Sequence, residues 1–351
     1  MRALFLTILL VLMVVPNWSR DERIGLIAPD ARVRVTPVPL DPTHPERRAL
    51  GPALTYIGGI QLSSPDKVFG GWSSMRVEGD AVTLLSDGGE LMFFHLDPAM
   101  WVSGVRFAHL PGGPGSGWGK EDRDSESLAT DPVTGQHWVG FEQWNAIYRF
   151  SPDFSHVERW AKPPLMRGWP HDTGPETLVR LPDGHFLVIA ENAHYRPGDT
   201  GKTSLIFPGD PTLPAPPLRF STRVPAHHRP SDGVALPDGR VLLLVRRFQL
   251  PFAFSARLVL IDPRLIGRDQ VLDSVEVARF EAPITRDNYE AVTLSREGDA
   301  TILWIASDDN QLWPLQRSIL LKFRLDPARL PAAPAPTVFR PPAAPGRPAS
   351  S

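Results

Sequence analysis

The sequence predicts an all-β chain folded as a β-propeller of four-stranded blades, and three observations carry that prediction. One hairpin unit recurs five times between Gly71 and Asp308, and repeat periods of roughly 50 residues are the mark of propellers. The 39 prolines and 28 glycines among 351 residues suit many short strands joined by turns. A strand-like run near the N-terminus has no repeat of its own, while the last repeat lacks a fourth strand, so the two defects can cancel by closing a ring.

The first unit runs from Gly71-Trp72-Ser73-Ser74-Met75 through Glu78-Gly79-Asp80 into Ala81-Val82-Thr83-Leu84-Leu85-Ser86-Asp87. The second sets Asp124-Ser125-Glu126-Ser127-Leu128 against His137-Trp138-Val139-Gly140-Phe141-Glu142. In the third, Gly174-Pro175-Glu176-Thr177-Leu178 turns at Pro182-Asp183-Gly184 before Phe186-Leu187-Val188-Ile189-Ala190-Glu191. The fourth carries Ser231-Asp232-Gly233-Val234 and Val241-Leu242-Leu243-Leu244-Val245-Arg246 around Pro237-Asp238-Gly239. The fifth carries Asn288-Tyr289-Glu290-Ala291-Val292 and Ile302-Leu303-Trp304-Ile305-Ala306-Ser307-Asp308 around Glu297-Gly298-Asp299. Each is a strand, a tight Asp/Gly turn and a second strand, the sequence form of a β-hairpin.

Third strands follow at Leu91–Leu96, Ala146–Phe150, Arg257–Ile261 and Ser318–Phe323, and more polar fourth strands at His156–Trp160 and Ser274–Phe280. Four antiparallel strands make a blade. Leu54–Leu62 is the spare strand expected to complete the last blade, giving a propeller over residues 51–328 with five blades; a sixth would have to hide in a long connection.

Outside the repeats, Ala3 to Val15 is an apolar run after Met1-Arg2, of signal-peptide length and short of the roughly 20 residues that span a bilayer. Residues 1–20 therefore read as a cleaved signal or an N-terminal anchor, residues 21–50 as an extended lead-in, and the propeller as exported to the periplasm or cell envelope. Residues 329–351, rich in Pro and Ala, read as a disordered tail. The absence of cysteine excludes disulfides and thiolate chemistry. A formal net charge of -2 gives no general attraction for nucleic acid.

The repeats place Ser74, Glu126, Glu176, Asp232 and Glu290 at one position of the innermost strands, which line the channel. Carboxylates converging there repel unless a proton or cation lies between them, and a divalent cation, calcium first, suits an all-oxygen donor set. Glu126, Glu176, Asp232 and Glu290 are thus the candidate metal ligands. The ends of the second strands carry Asp87, Glu142, Glu191, Arg246 and Asp308 on the same face. Of these, Glu142, Glu191 and Asp308 are candidate general bases and Arg246 a candidate anion binder. Ser74, Asp87, Asp124, His171, Asp309 and Asn310 complete the expected pocket. Against this stands a structural reading, in which acids near strand starts accept backbone N–H bonds from neighbouring loops. Trp118, Trp144, Trp169 and Trp313 suit either a pocket wall or core packing.

Several of these motifs together are similar to a known family. Gly174-Pro175-Glu176-Thr177-Leu178 with Leu181-Pro182-Asp183-Gly184, Arg246-Arg247-Phe248, Asp287-Asn288-Tyr289-Glu290-Ala291-Val292, Ser307-Asp308-Asp309-Asn310 and Leu315-Gln316-Arg317 resemble the bacterial phytase-like family described as having esterase-like activity. The resemblance covers roughly residues 55 to 325. It implies a propeller outside the cytoplasm and suggests hydrolysis of a small-molecule ester or phosphate ester. The first repeat departs from the acidic pattern, with Ser73-Ser74 where other repeats carry a carboxylate. Two further readings stand beside the metal-dependent hydrolase: a non-catalytic propeller binding a ligand or envelope partner, and a purely structural cation closing the blades.

Overall fold

A computed structural model of the chain describes residues 26–27, 31–116, 119, 122–171, 173–194, 199–249, 253–268, 270–310, 312 and 315–338. The proposed signal or anchor lies outside the described residues. Among those described, no helix is long and apolar enough to cross a membrane.

The fold is a β-propeller of five blades. Blade 1 comprises Trp72–Glu78, Ala81–Ser86, Glu90–Leu96 and Val102–His109; blade 2 comprises Ser125–Thr130, His137–Phe141, Ala146–Phe150 and Val157–Ala161. Blade 3 is built from Thr177–Arg180, Phe186–Ile189, Lys202–Phe207 and Leu218–Arg223, and blade 4 from Arg229–Ala235, Val241–Gln249, Ala253–Ile261 and Val275–Phe280. Blade 5 combines Asn288–Glu297, Ala300–Asp308 and Ser318–Leu325 with the N-terminal strand Leu54–Ser63. That strand pairs antiparallel with Ser318–Leu325, Ile60 opposite Leu320, so the predicted closure is the observed one. The innermost strands then touch in cyclic order, blade 5 against blade 1.

Five hydrophobic clusters fill the five gaps between blades. Leu242 and Leu244 face blade 5 in one cluster, whereas Val241, Leu243 and Val245 of the same strand face blade 3 in another. A central strand of a blade is covered on both faces, which is why Val241–Val245 reads as an unbroken apolar run and not as an alternation. The turns behave as their residues dictate. Gly184 and Gly239 adopt φ of 90° and 87°, open to glycine without steric cost, and Asp183 and Asp238 accept the amides of His185 and Arg240.

Three additions were not legible. Gln270–Asp273, inside blade 4's connection, crosses to add a parallel strand to blade 3 beside Leu218–Arg223. Thr337–Val338 pairs with it in turn, so the start of the Pro/Ala-rich segment runs along blade 3. At the other end of the chain, Arg34–Pro37 of the lead-in pairs with Leu54–Ser63 as a fifth strand of blade 5.

Candidate active site at the channel mouth

Inner strands break their ladders at nearly the same place. Ser73, Glu126, Ser231 and Glu290 are each left unpaired between two residues that do pair, and in blade 3 the ladder begins at Thr177, just after Glu176. Such bulges re-aim a side chain and recur beside active sites. Here they turn Glu126, Glu176 and Glu290 toward the mouth, where all three are at least nine-tenths buried. The second strands end in register beside them. Glu142 donates its backbone N–H to the Asp124 carbonyl, Glu191 to Gly174 and Asp87 to Gly71, and Asn288 pairs with Asp308.

Two groups of carboxylates result, each with oxygens within 4.8 Å of one another: Asp124 with Glu126 and Glu142, and Glu142 with Glu176 and Glu191. Glu142 belongs to both. Burial first, then neighbouring negative charge, pushes the Glu126 and Glu176 carboxyls well above the usual range, and Glu142 rises to about 8 for the same reasons. Asp308 is pushed up likewise, by burial and then by Glu290 and Asp87. The donor set is all oxygen, and each group brings three carboxylates within reach of one point, so the residues of this arc fit a hard divalent cation.

Arg246, on blade 4, stands beside the second of these groups. Its Nε lies 3.3 Å from Glu290 Oε1 and one terminal nitrogen 3.5 Å from Glu191 Oε1, while the other donates to Asn288 Oδ1 at 3.4 Å. Burial works against its charge, but Glu290, Glu176, Glu191 and Glu126 outweigh that and hold the guanidinium above its ordinary value. Glu290 is raised by burial, which Arg246 offsets in part. Glu191 also accepts Arg229 at 2.9 Å. Thus Glu290 and Glu191 serve mainly as partners of arginine, and the mouth divides into an acidic arc on blades 2 and 3 and an arginine arc on blades 4 and 5.

The other predicted residues separate by partner. Asp232 takes the amides of Gly233 and Val292, both at 2.8 Å, and faces Ser74 Oγ at 3.5 Å; no carboxylate of the two groups acts on it. It links the inner strands of blades 4 and 5 and lies apart from the acidic arc. Asp309 accepts Gly71 N–H at 3.3 Å and Ser318 Oγ–H at 2.8 Å, joining blade 5 to the entry of blade 1, and a Cβ on Gly70 would meet its Oδ1 at 2.4 Å. Asn310 donates its side-chain N–H to Gln316. His171 is exposed on the rim, its Nδ1 2.8 Å from the Gln143 carbonyl. Trp169 is core, Trp144 is 38% exposed beside His171, and Trp118 and Trp313 lie outside the described residues. Sequence reasoning did not single out Arg229, Asn288 or Lys202. Arg229 has a signal in hindsight, because it sits opposite Arg246 in the blade 4 ladder.

A family model described as "Phytase-like: Esterase-like activity of phytase" matches residues 67–311, a span that holds all five inner hairpins. Similar solved structures include the Malassezia sympodialis allergen Mala s 1, at 13% identity and a TM-score of 0.43, covering 76% of this chain and 87% of that one. Another is the α-L-arabinofuranosidase PaAbf62A from Podospora anserina, at 11% identity and a TM-score of 0.44, covering 79% and 95%. No curated protein matches the chain.

Proposed function

The chain belongs to the phytase-like family described by esterase-like activity of phytase, and from that premise we propose that it is a metal-dependent hydrolase of small-molecule esters or phosphate esters, working at the channel mouth. The observation that carries the reading is the division of the mouth: carboxylates sharing Glu142 on one arc, Arg246 on the other. A divalent cation, calcium first, would be held by Asp124, Glu126, Glu142 and Glu176, and when bound it supplies Lewis-acid polarisation and a more acidic water.

The chain's own residues supply the rest. Arg246, held by Glu290, Glu191 and Asn288, presents fixed positive charge to an anionic substrate and to charge that develops on an ester oxygen. Asp308 accepts the Asn310 backbone N–H on Oδ1 at 2.7 Å, and the raised proton affinity that burial, Glu290 and Asp87 give it suits it, once ionised, to take a proton from an attacking water. The apolar walls between blades keep bulk water from the carboxylates and strengthen each charge interaction. Export to the envelope is part of the same proposal, resting on the apolar run Ala3 to Val15.

Purified protein assayed on p-nitrophenyl phosphate, bis-p-nitrophenyl phosphate and p-nitrophenyl acetate, with calcium and with chelator, tests this reading. Chelator-sensitive turnover on at least one ester class is expected. Calcium binding without turnover would leave only a structural cation, and neither would favour a non-catalytic binding propeller.

A further inference from the structure

Beside the mouth, on blade 2, lies a pocket of about 420 Å³ that the reading above does not use. Apart from Asp122, its described lining comes from two loops that run directly into the acidic arc. The turn Glu142–Asn145 carries Gln143 and Trp144 and is closed by the Asn145 amide bonding back to the Glu142 carbonyl at 3.0 Å, with Asn145 at φ 46°. The long connection between blades 2 and 3, which ends at Glu176, contributes Lys162, Arg167 and His171. The pocket is therefore fixed to the two loops that deliver Glu142 and Glu176.

Its chemistry is the reverse of the mouth's. Lys162 Nζ stands 4.0 Å from the centre of the partly exposed Trp144 ring, and Arg167 and His171 are exposed around it. A carbonyl only accepts, so the 2.8 Å contact to Gln143 O makes His171 Nδ1 a donor and turns Nε2 away from that bond. Among the described residues Asp122 is the single acid of the lining, and its Oδ2 already accepts the Ser116 amide at 2.9 Å and the Ser116 hydroxyl at 2.6 Å. The Asn145 side chain donates to the Trp169 carbonyl at 3.0 Å, tying the turn to the connection between blades 2 and 3. A flat indole wall with basic groups around it recognises a ring that bears negative charge, since the ring stacks and the charge meets Lys or Arg.

We propose that this rim pocket is a recognition subsite for an aromatic anion: a flat ring carrying a carboxylate, sulfonate or phosphonate. It deepens the hydrolase reading by naming the substrate class, esters with an anionic aryl group whose ester bond reaches the acidic arc. Binding itself does not depend on that reading. The size of the cavity suits one ring with its charged group and excludes a polymer seated within it.

Calorimetric titration of metal-free protein with phenylphosphonate, benzoate, methylphosphonate and inorganic phosphate tests the subsite without any turnover. Phenylphosphonate and benzoate are expected to bind at least about tenfold more tightly than the two ring-free anions, and Trp144→Ala and Lys162→Met each to remove about tenfold of that affinity, with melting temperatures unchanged. Equal binding of ring-bearing and ring-free anions, or affinity unaffected by both substitutions, would overturn the proposal. Retained binding of aryl anions in a protein that hydrolyses no ester would overturn the hydrolase reading alone.

Discussion

Asp232 and Glu176 align in the sequence repeats, but the blade 4 ladder leaves Ser231 unpaired and puts Asp232 one residue further on, paired with Leu244, so their surroundings differ in kind. Both oxygens of Asp232 are used by the backbone amides of Gly233 and Val292, whereas Glu176 is buried within reach of the Glu142 and Glu191 carboxylates, whose charge pushes its carboxyl up. Asp232→Asn is expected to cost about 1–3 kcal/mol of stability, by leaving a buried amide poorly matched, and to leave calcium affinity intact. Glu176→Gln is expected to do the opposite, weakening calcium binding at little cost to the metal-free fold; unfolding curves and calcium titrations on both variants check the pair. Arg246→Gln should lower kcat by about 10²–10³ with a smaller effect in Arg246→Lys, which keeps the charge but loses the fork that meets Glu290 and Glu191. The sequence made these residues visible as a set. It did not separate Asp232 from the rest, because a repeat count does not reveal which residue of a bulge is left unpaired.

Among the elements, the seams between blades depend on hydroxyls as well as on apolar packing. Ser73 donates to the Ser125 carbonyl and Ser127 to the Pro175 carbonyl, both at 2.6 Å, and Ser231 to Tyr289 at 3.3 Å, each reaching the next blade at its inner strand or the residues that lead into it. Ser127→Ala is expected to destabilise by about 1–2 kcal/mol, read from the denaturant midpoint. In blade 2, His137 is buried against Phe154, ring centroids 3.9 Å apart, and burial holds its pKa down to about 4. The unfolded chain takes up a proton at His137 near pH 6.5 that the folded chain resists until about pH 4. Stability from this group is present above pH 6.5 and declines as pH falls to 4, by up to about 3 kcal/mol. His137→Gln should flatten that part of the melting profile; an unchanged slope would place the dependence elsewhere. Hairpins with Asp/Gly turns were legible because their signal is local. The third strand of blade 3, Lys202–Phe207, was not, because its buried polar groups find partners distant in sequence: Ser204 meets Thr222 at 2.7 Å and Lys202 meets Asn192 at 2.7 Å.

On the scale of the whole molecule, function and stability share one condition, a closed ring. Neighbouring inner strands bring acids from blades 2 and 3 within reach of one another, and the ring that holds those strands is completed in blade 5 by Leu54–Ser63. Deleting residues 1–63 would expose the backbone of Ser318–Leu325 as an open edge. The truncated chain is expected to lose its single cooperative transition and to associate on a sizing column, and a monomeric, cooperatively folded product would contradict the closure. This ring was legible in the sequence as a surplus strand at one end and a deficit at the other. The parallel strand Gln270–Asp273 left no such trace, since nothing local says which blade a connecting segment will cross to.

Calcium titration of the intact protein beside Glu142→Gln, followed by heat capacity scans with calcium and with chelator, tests the shared-carboxylate site most directly. Saturable binding that raises the melting temperature by several degrees at about 100 times Kd, and a loss of most of both effects in Glu142→Gln, is the predicted result. Equal calcium affinity and an equal thermal shift in the two proteins would contradict it.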